Sequence, residues 1–153
     1  MLSNIDTIDR SILAELQKDA SLSVDSIAER VSLSRNACWR RIKQMEEAGI
    51  IKARVALIDA SKIGLGLPVF VLVRAADHSP GWLEQFHRAV RLLPEIVGAH
   101  RMSGDLDYVL RVQVADVADY DRFYKRLIEL VPLGDISASF VMENIKDTTA
   151  LPV

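Results

Sequence analysis

Ile5, Ile8, Ile12, Leu13 and Leu16 recur three and four residues apart, and that spacing predicts an amphipathic helix with Asp6 available as its N-cap. Ser21-Leu22-Ser23 breaks the pattern. Ser23 can cap a second helix, Val24 to Val31, whose Ile27, Ala28 and Val31 share one face. After the tight connection Ser32-Leu33, Ser34 caps a third helix from Arg35 to about Ala48, and Gly49 ends it as a left-handed residue does. Beyond Gly49 the period becomes that of a strand, so Ile50 to Ile58 reads as an extended arm. The stretch Asp59 to Gly66, holding Gly64 and Gly66, marks a domain boundary.

The second half reads strand, helix, strand, strand, helix, strand. Leu67–Ala75 is a dense apolar strand. Ser79-Pro80, a cap followed by proline at the first helical position, leads a helix to Leu93. Ile96–Met102 is a strand and Ser103-Gly104-Asp105 a turn. In the next strand Leu106, Tyr108, Leu110, Val112 and Val114 fall on one face, with Asp107, Val109, Arg111 and Gln113 on the other. Asp116 caps a helix Val117–Leu130, and Asp135–Ile145 is the last strand. The order βαββαβ predicts a ferredoxin-like, antiparallel sheet with both helices on one face. Its uncovered face includes Val109, which favours burial by a second subunit. The fold class is therefore α+β: an all-α helix-turn-helix at 1–50, an extended arm or linker at 51–65 and a βαββαβ domain at 66–153.

Half of the 153 residues are hydrophobic, enough to bury a core. The formal net charge is only −2, so no uniform basic coat exists and the distribution matters more. Residues 34–56 carry Arg35, Arg40, Arg41, Lys43, Lys52 and Arg54 against Glu46 and Glu47, whereas residues 61–153 are slightly acidic. The single cysteine, Cys38, excludes an internal disulfide and fits a reducing cytosol. No apolar run approaches the ~18 residues of a membrane span. The start, Met1-Leu2-Ser3-Asn4-Ile5-Asp6, has neither a basic region nor an apolar signal core. A cytoplasmic protein without membrane partners is expected.

Three helices, a short turn and a serine-capped, cationic third helix match a helix-turn-helix whose last helix enters the major groove. With Cys38 at zero on a wheel of about 100° per residue, Ile42 and Met45 fall within roughly 40° of it and form the core face. Asn36, Arg40 and Lys43 lie opposite, with Trp39 at the margin; arginine suits guanine, asparagine suits adenine, and lysine suits phosphate. Together with Ser34, Arg35 and Arg54 these are the candidate DNA contacts. Arg41 sits between an ion-pair or packing role and a phosphate contact, and Cys38 reads as packing.

These residues resemble a known family. Ile5 to Leu13, Leu16-Gln17-Lys18-Asp19 and Ala37-Cys38-Trp39-Arg40-Arg41-Ile42 are similar to the leucine-responsive (Lrp/AsnC, feast/famine) transcriptional regulators. So are Lys62-Ile63-Gly64-Leu65, Leu93-Pro94-Glu95, Ser103 to Tyr108, and Thr148-Thr149-Ala150-Leu151-Pro152. Within the family, His78-Ser79, Trp82, Val112 to Asp116 and Tyr120-Asp121 most resemble the subgroup controlling cysteine desulfhydrase. Asn36-Ala37 departs from a common Thr-Pro pair, Leu106 from an aromatic in the glycine turn, and Ser139 from an aromatic of leucine-responsive members. The resemblance implies homodimers that assemble further, commonly to octamers, double-stranded DNA as partner and a small amino acid, cysteine first, as effector. It places the effector against Ser103, Gly104, Asp105, Leu106 and Asp107, with Ser139, Thr148 and Thr149 contributing. Turn N–H groups suit a carboxylate and Asp107 an ammonium. By spacing alone the same turn is a plain hairpin.

His78, His87 and His100 lack metal-ligand spacing, and Asp105 and Asp107 have no supporting nucleophile or base, so neither metal, cofactor nor catalysis is expected. A ligand-responsive regulator competes with an effector-free architectural DNA-wrapping protein and, more remotely, with a ferredoxin-like enzyme.

Overall fold

In the computed structural model, which describes residues 5–153, each of the five α-helices begins at a cap marked in the sequence. Residues 1–4, the start of the stretch read for a leader, lie outside it. Asp6 opens α1 (Thr7–Lys18) by accepting the Asp9 N–H at 2.8 Å, and Asp9 reaches back to the Asp6 N–H at 3.2 Å, a reciprocal capping box. Ser23 opens α2 (Val24–Arg30) and Ser34 opens α3 (Arg35–Glu47), each accepting one first-turn N–H, at 3.1 and 3.3 Å. Gly49, at φ 71, ends α3; the Ile50 N–H then returns 2.9 Å to the Met45 carbonyl. The three helices bury Ile12, Leu13, Leu16, Ile27, Ala28, Cys38, Ile42 and Met45 as one core.

Residues 52–58 form no strand, although their period is that of one, and are exposed. The expected linker is more ordered than its glycines suggested. Asp59 caps a single 3-10 turn, Ala60–Ile63, and Gly64 closes it at φ 81.

The second half builds β1 (Leu67–Ala75), α4 (Pro80–Leu92), β2 (Ile96–Arg101), β3 (Tyr108–Val114), α5 (Val117–Leu130) and β4 (Leu133–Phe140). The sheet is antiparallel in the order β2-β3-β1-β4. Val69, Val71 and Val73 of β1 share a face with Tyr108, Leu110, Val112 and Val114 of β3. That face packs on Trp82, Phe86 and Ala89 of α4 and on Phe123 and Leu127 of α5, so both helices cover the same side. Each fully buried Val, Leu or Phe among them contributes about 1.5–3 kcal/mol. The opposite face carries Phe70 and Leu72 beside Val109, Arg111, Gln113, Ser137 and Ser139.

Three strand boundaries differ from expectation by two residues or more. The last strand runs Leu133–Phe140 rather than Asp135–Ile145, and β3 begins at Tyr108 rather than Leu106. At Gly134 the β1–β4 register shifts, and a Cβ there would stand 2.7 Å from the Ala75 carbonyl oxygen, so glycine lets the strand start early. By its contacts the chain forms two compact units. One runs to Leu57 and also takes in Lys146–Val153; the other is Ile58–Ile145. The tail, assigned by sequence to the 66–153 domain, thus packs with the helical unit.

Candidate functional site

The core of the helical unit fixes what α3 shows to solvent. Cys38, Ile42 and Met45 turn inward, and Cys38 is fully buried, with burial pushing its thiol pKa up. A thiol held protonated in an apolar setting is a packing group, not a reactive one. On the outward side Asn36, Arg40 and Lys43 are exposed, and Trp39 is 54% exposed. No carboxylate among the described residues pairs with Arg40 or Lys43. Ser34 stands at the helix start as its cap. Arg35 lies 3.2 Å from Asp25, and Arg54 of the arm 3.0 Å from Glu46. Both pairs are solvent-exposed, so they hold their arginines weakly and leave them exchangeable to a phosphate.

Arg41 is engaged elsewhere. Its Nη1 lies 2.7 Å from Asp6 Oδ2 and 2.8 Å from Asp9 Oδ1, joining α3 to the capping box of α1. The Asp9 N–H and then Arg41 hold the Asp6 carboxyl below its ordinary pKa; the hydrogen bonds that Arg41 donates to Asp9 and Asp6 raise its own. The alternatives left open by the helical wheel resolve to an ion pair.

In the sheet unit the turn between β2 and β3 closes where the Met102 N–H donates to the Asp107 carbonyl at 2.8 Å, with Gly104 at φ 107. Between these ends the N–H groups of Ser103, Gly104, Asp105 and Leu106 find no acceptor among the described residues. That loop is a donor-rich arc suited to a carboxylate. Asp107 is only partly free. Its Oδ2 accepts the Ala75 N–H at 2.8 Å, tying the turn to the end of β1, while Oδ1 faces His78 Nε2 at 4.0 Å. One carboxylate oxygen remains to meet a cation. Sequence reasoning missed both partners, because they lie 32 and 29 residues before Asp107. Tyr108 is 8% exposed and packs on Phe86, ring centroids 4.4 Å apart, so it belongs to the core as expected.

Ser139 does not meet this turn within one chain. It pairs with Phe70, three positions along β1 from Val73, the partner of Tyr108. At about 3.3 Å per residue that is roughly 10 Å along the sheet and two strands across. Thr148 and Thr149 belong to the tail of the helical unit, where Thr149 lines a hollow beside α1. The structure therefore brings Ser103–Asp107 together and leaves Ser139 apart. No group of metal-binding side chains occurs among the described residues, and no helix there is long and apolar enough to cross a membrane.

Residues 5–52 match a winged helix-turn-helix DNA-binding domain, and residues 68–151 the Lrp/AsnC ligand binding domain. The chain is 50% identical to the DNA-binding transcriptional activator DecR of Escherichia coli (strain K12) over 150 residues, covering 97% of this chain and 99% of that protein. An AsnC family transcriptional regulator from Agrobacterium tumefaciens shares the fold at a TM-score of 0.93 and 51% identity, over 96% of each chain. A Neisseria meningitidis transcriptional regulator, solved as a complex with L-Met, superimposes at a TM-score of 0.93 and 34% identity over 97% of each chain. With both of its units matched and the same fold shared along nearly its whole length, the chain belongs to the Lrp/AsnC family of DNA-binding transcriptional regulators rather than to any enzyme family.

Proposed function

We propose that the regulator reads double-stranded DNA with the outward face of α3 and answers to a small amino acid held at the turn Ser103–Asp107, with L-cysteine the first candidate. The observation that carries the DNA reading is Arg40 and Lys43, exposed and without a carboxylate partner among the described residues, beside exposed Asn36 and Trp39. Arg35, Arg54 and the Ser34 end of the helix add phosphate contacts that position it. A protein that reads chromosomal DNA works in the cytoplasm of a bacterial cell.

For the effector, the unpaired N–H groups of Ser103–Leu106 take the carboxylate, and the free oxygen of Asp107 takes the ammonium. The Neisseria relative, solved with L-Met, supports an amino acid as the class. Ser139, apart from the turn in its own sheet, joins the pocket from another subunit, and Thr148 and Thr149 join it as further lining. The site is thus completed between copies of a homodimer that assembles further, to an octamer.

The test is DNA affinity measured with and without L-cysteine, L-serine, L-leucine, L-alanine and L-methionine under reducing conditions. Coupling of this kind shifts affinity by roughly 5- to 150-fold. Asp107→Asn is the informative variant, because its side-chain oxygen still accepts the Ala75 N–H while the charge is gone. It should lose the response and keep ligand-free DNA binding. An unchanged response moves the site elsewhere. No response in the wild type to any amino acid favours an architectural DNA-wrapping protein.

A further inference from the structure

The segment Lys146–Val153 has neither helix nor strand, yet it is seated on the helical unit. Gln17 of α1 holds it. The Gln17 side-chain oxygen accepts the Leu151 N–H at 2.6 Å, and its amide nitrogen donates to the Leu151 carbonyl at 3.1 Å, a contact 134 residues apart in sequence. A primary amide presents one donor and one acceptor side by side, so it pairs with an extended residue much as a neighbouring strand would. Thr148 Oγ1 accepts the Ala150 N–H at 3.1 Å and shapes the approach. Beside Gln17 lies a hollow of about 730 Å³, bordered by Leu13, Leu16, Ile50, Ile51, Leu151 and Val153. Leu151 stays 71% exposed there, so the backbone grip, not apolar burial, selects the seat.

We infer that the surface of α1 around Gln17 is a docking site for an extended peptide, and that its occupant is the chain's own segment Thr149–Val153. The chain leaves the helical unit at Leu57 and re-enters it at Lys146. The helical unit is thus built from two stretches of chain, and Gln17 is the positioning residue that holds the second stretch against the first.

Hydrogen exchange of the full-length protein, followed by mass spectrometry of peptides covering 146–153, tests this. Apart from any slowing that Thr148 gives the Ala150 amide, the wild type should show slowed exchange at the Leu151 amide. Gln17→Ala should speed its exchange about tenfold, as expected for loss of hydrogen bonds at a solvent-facing site. Gln17→Glu keeps the acceptor and loses the donor, and should lie between the two. Circular dichroism confirms that α1, whose core face is untouched, stays folded in both variants. Exchange at the free-peptide rate in the wild type, or equal rates in wild type and Gln17→Ala, overturns the inference. Slowing that vanishes on dilution below the concentration of self-association assigns the seat to a second copy's tail and overturns the own-chain occupant.

Discussion

Ser32 holds φ 55 between α2 and α3, a left-handed conformation that costs a residue with a Cβ about 1–2 kcal/mol. The Leu33 N–H, bonded 2.9 Å to the Ala28 carbonyl, locks it there. Ser32→Gly should stabilise the helical unit by up to about 1 kcal/mol in chemical denaturation, and Ser32→Val should destabilise it by about 1–2 kcal/mol. The Asp6–Asp9–Arg41 cluster gives a pH signature. Folding depresses the Asp6 pKa below its ordinary 3.8, so the stabilisation is present above that value and is lost as pH falls through the lower, folded one. Melting temperature should therefore drop more steeply below about pH 4 in the wild type than in Arg41→Met, which removes the cation from the cluster. At this scale the sequence was readable wherever a cap speaks to an N–H three residues away, as at Asp6, Ser34 and Asp116. It was not readable at Ser32, since serine does not announce a left-handed backbone. Nor was it at Asp107, whose partners Ala75 and His78 arrive only when β1 folds against β3.

Among the elements, α3 is the proposed DNA reader, and the proposal divides the labour among its exposed side chains. Arg40→Ala should cost about 1–3 kcal/mol on a target operator and relax preference at one base pair. Lys43→Ala should weaken all sequences alike and flatten the salt dependence by about one unit in the log–log slope. Titrations at several salt concentrations with specific and scrambled duplexes separate the two; if both variants bind as the wild type does, α3 is not the reader. The helix was legible because its inward residues, Cys38, Ile42 and Met45, repeat with the period of its core. The ends of β4 were less so. Apolar Val141 and Ile145 look like strand, but bonding to β1 ends where the Val141 N–H meets the Pro68 carbonyl at 3.0 Å, and only Gly134 tolerates the close approach that begins it.

For the whole molecule, the bare face of the sheet is the feature that bears on assembly. The sequence pointed to Val109 there; the structure adds Phe70, 41% exposed, and half-buried Leu72 from β1, the strand it pairs with. Ile58–Ile145 has its own core and should fold alone as at least a dimer by light scattering, while Phe70→Asp should yield a folded monomer. A well-folded monomer of the unaltered fragment would exclude this face as the interface. The two-unit organisation was visible in the change of hydrophobic period after Gly49. The return of the tail to α1 was not, because nothing local in Thr149–Val153 names Gln17. The sheet's outer strands carry a further consequence. β2 has a register shift between Ile96 and Gly98, β4 faces one at Arg74 and Ala75, and His100, Arg101 and Asp135 stud these rims. A kinked, charged rim is a poor template for the regular stacking that seeds amyloid. Were copies to meet through their sheet faces as proposed, these edges would not carry them on into fibres.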